Sequence, residues 1–254
     1  MNKPYLIMIP GFGMNSSVWK RINKYLSKDF ELIFIEWDNS NLLDGFKQKV
    51  INIIEEKHLT SFSLLGWSLG SLVAQEIVLD NLWNINNLIL IGGTSSFIQH
   101  KEDGYNLGWN KRIVERMKFQ LYKNPNETLF NFYNSLFSGD EKEKGYNKEF
   151  VQTMEDNIKI QSVDSLALEL DYLIQKDLRN KLVDINIPLL MIHGEEDKIC
   201  SLEATLYIKN ILAHSNIEVI KNGGHIPFFT NPHDCYNFIS KFIRKTTKRE
   251  IIYD

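Results

Sequence analysis

Cysteine is almost missing from this chain of 254 residues, which has two, and proline is sparse at six. Cys200 and Cys235 cannot build a disulfide framework. They read as small buried thiols in a reducing compartment. Neither charge is in clear excess: 29 basic side chains face 32 acidic ones, a net charge of −3. That excludes the basic surplus of a dedicated nucleic-acid binder. No apolar run approaches the ~20 residues that span a bilayer. The longest run near the start, Tyr5 to Ile9, falls short of the ~7–15-residue core of a secretory signal, so a cytoplasmic protein without a membrane anchor is expected. There is no His-Glu-x-x-His and no Cys-x-x-Cys, so no metal site is expected. Gly11-Phe-Gly13 carries two of the three glycines of a dinucleotide fingerprint, so no cofactor is expected either. What remains is ordinary globular composition, 43% hydrophobic and 24% charged. At about 100–200 residues per domain, the length allows one large domain or two small ones.

Glycine is also scarce, at 14 residues, but its placement is informative. Gly11, Gly13, Gly66, Gly70, Gly92, Gly93, Gly194, Gly223 and Gly224 all stand just after short apolar runs. Those runs are Tyr5–Ile9, Leu32–Ile35, Phe62–Leu65, Leu88–Ile91, Pro188–Ile192 and Ile217–Ile220. Unbroken runs of this length predict strands buried on both faces, hence a parallel sheet. Helical periodicity fills the intervals at 16–27, with Ser16 and Ser17 as N-caps, and at 42–58, 69–80, 201–213 and 233–247. In 42–58 the inward stripe is Leu43, Phe46, Val50 and Ile53 or Ile54. In 69–80 it is Leu72, Val73, Ile77 and Leu79. Strands alternating with helices predict an α/β fold built of right-handed crossovers, with helices on both sheet faces. The alternation stops between 95 and 186, where helical patches at 106–122, 125–137, 147–160 and 163–176 predict a helical lid insertion. The core is then 1–94 with 187–254. The basic stretch Lys241 to Arg249 reads as a frayed, solvated helix end.

The chemistry centres on Gly66-Trp67-Ser68-Leu69-Gly70, which follows a strand run and precedes a helix. That is the context of a G-x-S-x-G nucleophile elbow, where a sharp strained turn exposes the serine hydroxyl. Serine is a weak nucleophile and needs a base. His58, His100 and His214 lie in or near helical segments, His193 ends a strand run, and His233 starts the last helix. His225 stands in Asn222-Gly-Gly-His-Ile-Pro227, a loop between the final strand and the final helix. A carboxylate is needed to fix its tautomer. Asp197, in His193-Gly-Glu-Glu-Asp197, is the leading candidate, with Glu195 and Glu196 as competitors. The order Ser68, Asp197, His225 is that of the α/β-hydrolase architecture. Backbone donors for an oxyanion are expected from the N–H groups of Leu69 and Phe12.

Over its whole length the chain resembles the α/β-hydrolase family. More narrowly, it resembles the pimeloyl-[acyl-carrier protein] methyl ester esterases of biotin synthesis. The likeness rests on Pro10-Gly-Phe-Gly-Met-Asn-Ser-Ser-Val-Trp19, Leu65-Gly-Trp-Ser-Leu-Gly70, Asp177-Leu-Arg-Asn-Lys-Leu182 before Ile187-Pro188, and Gly224-His-Ile-Pro-Phe228. It implies an acyl-enzyme on Ser68, with Trp67, Phe12 and Phe132 against the acyl group. Three departures stand out. Pro10 replaces the histidine usual before Gly11, Ser71 replaces a glycine after the elbow, and the insertion matches poorly. Basic insertion residues that would meet an acidic carrier protein fall here on Glu127 and Asn131. Lys111, Arg112, Arg116, Lys118 and Lys123, with Glu115 among them, form a substitute cluster. The same fold also accommodates short-chain esterases, lactonases, menaquinone-pathway-type lyases and non-catalytic receptors.

Overall fold

The computed structural model describes residues 3–37, 43, 45–157 and 161–253. Six strands form one sheet, β1 (Tyr5–Ile9), β2 (Glu31–Phe34), β3 (Ser61–Trp67), β4 (Asn84–Ile91), β5 (Leu189–Gly194) and β6 (Asn216–Ile220), in the order β2-β1-β3-β4-β5-β6. Every pairing is parallel. The predicted runs found their strands. Burial on both faces holds for β1, β3, β4 and β5 but not for β2 and β6, which are half exposed because they are the sheet's edges.

Around the sheet lie α1 (Lys20–Leu26), α2 (Gly45–Glu56), α3 (Leu69–Asp80), α4 (Lys111–Lys123), α5 (Pro125–Ser135), α6 (Gly139–Glu143), α7 (Tyr146–Asn157), α8 (Val163–Gln175), α9 (Leu202–Ile211), α10 (Pro227–Thr230) and α11 (Pro232–Tyr253). The segment expected as one helix from Ser16 begins as a 3₁₀ turn, Ser16–Trp19. Its cap is Asn15, whose side chain accepts from the Ser17 N–H; an amide oxygen one residue upstream reaches the free donor that the serines were expected to serve. Phe46, Val50 and Ile54 form the buried stripe of α2, so Ile54 faces inward rather than Ile53, and residue 42 lies outside the described residues. Helix α3 is buried nearly all round, while Leu79 near its end is only partly covered. Helix α6 had no counterpart in the periodicity, being a single turn, and residues 158–160 of the expected 147–160 helix lie outside the described residues. Helix α11 continues through the basic stretch, with Lys241, Arg244 and Lys245 exposed and the Thr246 hydroxyl bonded to Asn87 at 2.8 Å. Among the described residues no helix is long and apolar enough to cross a membrane.

Two hydrophobic clusters sandwich the sheet. One holds Ile7, Ile9, Leu64, Leu69 and Val73 with α8. The other holds Leu6, Met8, Leu65, Trp67 and Trp19 with Phe228 of α10. The split follows from the strand period of two, which sends successive side chains to opposite faces. Chain direction across the sheet reverses at β1, which has β2 on one side and β3 on the other. In open α/β sheets, the crevice at the carboxyl ends beside such a switch point is where ligands bind.

Candidate active site

Each candidate residue follows the carboxyl end of a strand. Phe12 follows β1, Ser68 follows β3, Asp197 follows β5 and His225 follows β6. Because β1 pairs with β3 in the register Ile9 to Gly66, the Phe12 loop lies against Ser68. A Cβ on Gly11 would lie 3.1 Å from the Ser68 Cβ, so glycine is what lets the two turns touch.

Ser68 itself has φ 55 and ψ −120, a conformation that L-residues rarely adopt. The turn is enforced by close backbone approach. A Cβ on Gly66 would overlap the Gly70 carbonyl, and one on Gly70 would overlap the Ile9 carbonyl. Those two glycines let α3 start hard against the ends of β1 and β3. Ser68 anchors its N–H on the Ile91 carbonyl at 3.1 Å, and Ser71, where a glycine is usual, bonds its hydroxyl to the Ser68 carbonyl at 2.6 Å. Leu69 is the first residue of α3, so its N–H is among the donors without an intrahelical partner, at the positive end of a 12-residue helix.

Asp197 and His225 are both buried and meet through Oδ2 and Nδ1 at 2.7 Å. Their loops are laced together, with the Glu195 N–H on the Ile220 carbonyl at 2.9 Å and the Glu196 N–H on the Gly223 carbonyl at 2.8 Å. Glu195 and Glu196 are exposed, and Glu195 accepts from the Asn222 N–H at 3.1 Å, away from the imidazole. The second oxygen of Asp197 accepts from the N–H groups of Ile199 (2.8 Å) and Cys200 (3.0 Å). Burial by itself would raise the Asp197 pKa. The neighbouring His225 and His193 rings and their hydrogen bonds outweigh burial and hold it well below the usual carboxylate range.

His225 is fixed by its backbone as well as its ring. Its N–H donates to Leu136 at 2.7 Å and its carbonyl accepts from the Trp67 indole at 2.8 Å. Its Nε2 has no hydrogen-bonding partner among the described residues, the Ser68 hydroxyl included. The ring and Ser68 flank the same short segment. Ser68 is bonded to Ile91, and a Cβ on the next residue, Gly92, would lie 2.9 Å from Nδ1 of His225.

His193 does more than pack. It is fully buried, with Nε2 between two acceptors, the Cys200 carbonyl at 2.8 Å and Asp197 Oδ2 at 3.2 Å, and Nδ1 at 2.7 Å from the Thr205 hydroxyl. Nε2 therefore carries a proton and supports the aspartate from behind. His58, His214 and His233 are exposed, and His100 bonds Ser96 at 2.9 Å.

Above Ser68 lies a cavity of about 360 Å³, lined mainly by apolar side chains from α4, α5 and α8 together with Phe12 and Ile199. That volume falls within the range of small-molecule sites. Phe132 stands over Phe12 edge-to-face, ring centroids 5.1 Å apart. Trp67, expected against the acyl group, is not among the lining residues. Its ring is packed between Trp19 and Phe228 in the cluster on the opposite sheet face, because strand alternation turns the residue before Ser68 away from the cavity. Of the basic residues on α4, Arg116 reaches the cavity wall and Arg112 is exposed. Lys118 bonds both oxygens of Asp171 at 2.7 Å, Lys111 pairs with Glu115 at 3.7 Å, and Lys123 lies over the Phe119 ring. Glu127 is exposed, and Asn131 lines the cavity.

The loop after β1 is held from above. The Gly13 N–H donates to Glu169 of α8 at 2.7 Å, and the Gly13 carbonyl accepts from the Tyr133 hydroxyl of α5 at 3.2 Å. Neither residue was singled out by sequence reasoning, nor was Glu141 of α6. A glutamate in an amphipathic helix looks like surface charge until its burial is known.

Residues 46–232 match a family model described as the alpha/beta hydrolase fold. A pimeloyl-[acyl-carrier protein] methyl ester esterase from Wigglesworthia glossinidia brevipalpis is 30% identical over 247 residues, covering 94% of this chain and 93% of that one. A protein of the same name from Pseudoalteromonas atlantica is 26% identical and covers 91% of each. Among solved structures, an esterase from Exiguobacterium antarcticum superposes with a TM-score of 0.83 at 21% identity, covering 96% of this chain and 92% of that one. An enol-lactonase from Burkholderia xenovorans has the same TM-score, 0.83, at 13% identity and the same coverage, 96% and 92%. At those identities the structural likeness speaks for the fold alone.

Proposed function

Because this chain belongs to the α/β-hydrolase family, we propose that it is a serine carboxylesterase working through an acyl-enzyme on Ser68. Its substrate in this reading is the methyl ester of pimeloyl-[acyl-carrier protein] in biotin synthesis, the substrate named for its relatives. The observation that carries the reading is a buried Asp197–His225 hydrogen bond of 2.7 Å at the same sheet edge as a serine with φ 55.

The steps follow from the groups present. The Ser68 hydroxyl attacks the ester carbonyl as its proton passes to Nε2 of His225. The imidazolium formed is stabilised by Asp197, which the protein keeps ionised. The negative charge on the former carbonyl oxygen faces the N–H groups of Phe12 and Leu69. Collapse of the tetrahedral intermediate breaks the ester C–O bond, and His225 returns the proton to the departing methanol. Water, deprotonated by His225, then attacks the acyl-enzyme and releases the carboxylic acid and the serine. No metal or cofactor enters.

Residues 95–186 serve as a helical lid over the core of 1–94 and 187–254, and the cavity beneath it takes the apolar chain and sheds water. Phe12 and Phe132 bear on the acyl group. Lys111, Arg112, Arg116 and Lys118 form the side that an acidic carrier protein would approach. Arg112 and Arg116 are the stronger pair, since Lys118 and Lys111 already have carboxylate partners within the chain.

The test is hydrolysis of the pimeloyl-carrier methyl ester beside the same ester free of carrier, with Ser68→Ala and His225→Ala as controls. Loss of turnover in both variants is expected, together with a rate advantage for the carrier form that fades as salt rises. Equal rates for the two esters would make the protein a general short-chain esterase. Wild-type methanol release by Ser68→Ala would overturn the mechanism.

A further inference from the structure

The loop that carries His225 is gripped by a buried carboxyl group from the insertion. Glu141 is 2% exposed and lies in α6, outside the sheet altogether. Its Oε2 accepts from the Gly224 N–H at 3.0 Å, one residue before the histidine. Its Oε1 accepts from the Thr230 hydroxyl at 2.7 Å, five residues after it. Oε2 also accepts from the Ser138 N–H at 3.0 Å, closing a capping box that fixes the glutamate's own rotamer. Ser138 in turn donates its hydroxyl to the Asn222 carbonyl at 2.7 Å, and Leu136 takes the His225 N–H at 2.7 Å. The short segment from Leu136 to Glu141 therefore binds the histidine loop before, at and after residue 225. Gly224 is glycine for this reason: a Cβ there would lie 2.5 Å from the Leu136 carbonyl and 2.7 Å from Glu141 Oε2.

From this juxtaposition we infer that Glu141 is a positioning residue for the catalytic base, so the insertion orients His225 as well as covering the cavity. The inference rests on the assignment of His225 as that base. The ring's Nδ1 is tied to Asp197, but one hydrogen bond leaves the imidazole free to pivot about it. The direction of Nε2 is then set by where the backbone of residue 225 sits. On the core side that backbone has the Trp67 indole, and on the other side it has the 136–141 segment. Loss of the Glu141 carboxyl strands three buried donors, the Gly224 N–H, the Ser138 N–H and the Thr230 hydroxyl, and lets the loop shift. An imidazole displaced by about 1 Å costs on the order of a hundredfold in rate. Binding of the ester in the cavity is untouched, because Glu141 is not among its lining residues.

The experiment measures kcat and KM for p-nitrophenyl acetate, with thermal unfolding recorded for every protein. Glu141→Ala is expected to lower kcat by about a hundredfold, and the isosteric Glu141→Gln, which keeps an acceptor for Gly224, and Ser138→Ala by about tenfold each, all with KM within about twofold. In a His225→Ala background, Glu141→Gln is expected to cause no further loss, since a residue that acts only through the imidazole has nothing left to act on. If Glu141→Ala does not fold, Glu141→Gln and Ser138→Ala carry the test. A folded Glu141→Gln and Ser138→Ala pair with wild-type kcat would overturn the inference, as would a further loss in the His225→Ala background. Full activity of His225→Ala itself would instead overturn the assignment of the base.

Discussion

The Gly13 N–H donates to Oε2 of Glu169 at 2.7 Å, so a fully buried carboxyl group from α8 holds the loop that carries Phe12. The other oxygen of Glu169 has no hydrogen-bonding partner among the described residues, and the adjacent Tyr133 hydroxyl is committed to the Gly13 carbonyl. Burial pushes the Glu169 pKa up to about 8, only partly opposed by the Gly13 hydrogen bond. The protein therefore holds a neutral carboxylic acid against the Phe12–Gly13 loop at neutral pH. Tyr133, itself raised mainly by burial and further by Glu169, stays neutral as well.

A stability profile follows with a definite sign. The folded state binds the Glu169 proton more tightly than the unfolded state, which releases it near ~4.3. Stability from this group is thus unchanged below about pH 4, falls as pH rises, and levels off above about 8, a loss on the order of a few kcal/mol. Glu169→Gln cannot ionise and keeps an oxygen for Gly13. Urea midpoints at pH 5 and pH 9 are expected to converge in that variant and to separate in the wild type. An equal separation in both would show that another group sets the pH dependence.

The strain at Ser68 makes stability and activity pull apart at one position. A non-glycine residue at φ 55 costs roughly 1–3 kcal/mol. Glycine removes the Cβ penalty but adds unfolded-state entropy, so Ser68→Gly is expected to gain about 1 kcal/mol of stability while losing all turnover. Ser68→Ala, which keeps the Cβ, is expected to lose turnover without that gain. Equal denaturation midpoints for the two variants would show that no strain is stored there.

If the cavity takes the acyl chain, as proposed, its wall sets the chain length it accepts. Met117 of α4 lines the cavity at partial burial, so a larger ring can enter the space without breaking the core. Met117→Trp is expected to lower kcat/KM for a seven-carbon acyl ester about tenfold, or about 1.4 kcal/mol, and to leave acetate esters nearly unchanged. A parallel fall for both esters would place the acyl chain elsewhere.

Much of the site could be read directly because its parts are local. Gly66 and Gly70 announce the tight turn at Ser68, since no side chain fits where the Gly70 and Ile9 carbonyls pass. The glycines around Asp197 and His225 mark strand ends in the same way. Trp67 packs apart from the cavity lining for a physical reason: a residue's face depends on strand alternation carried to the turn, and that alternation sends its ring to Trp19 and Phe228. Residues 95–186 were legible only as helices, because their packing partners lie far away in the chain.

The sequence alone determined the alternation of strands and helices, the glycine-bounded turn at Ser68 and the order of serine, acid and histidine, all of which depend on periodicity and on backbone shapes that particular residues permit. Tertiary structure alone decided that Asp197 rather than Glu195 or Glu196 meets the imidazole, that His193 supports that aspartate, and that Glu141 and Glu169 are buried against the His225 and Gly13 loops. A glutamate on a helix is written the same way whether it faces water or a backbone N–H. The difference is made by which segment, 83 residues away for Glu141 and 156 for Glu169, the folded chain lays over it.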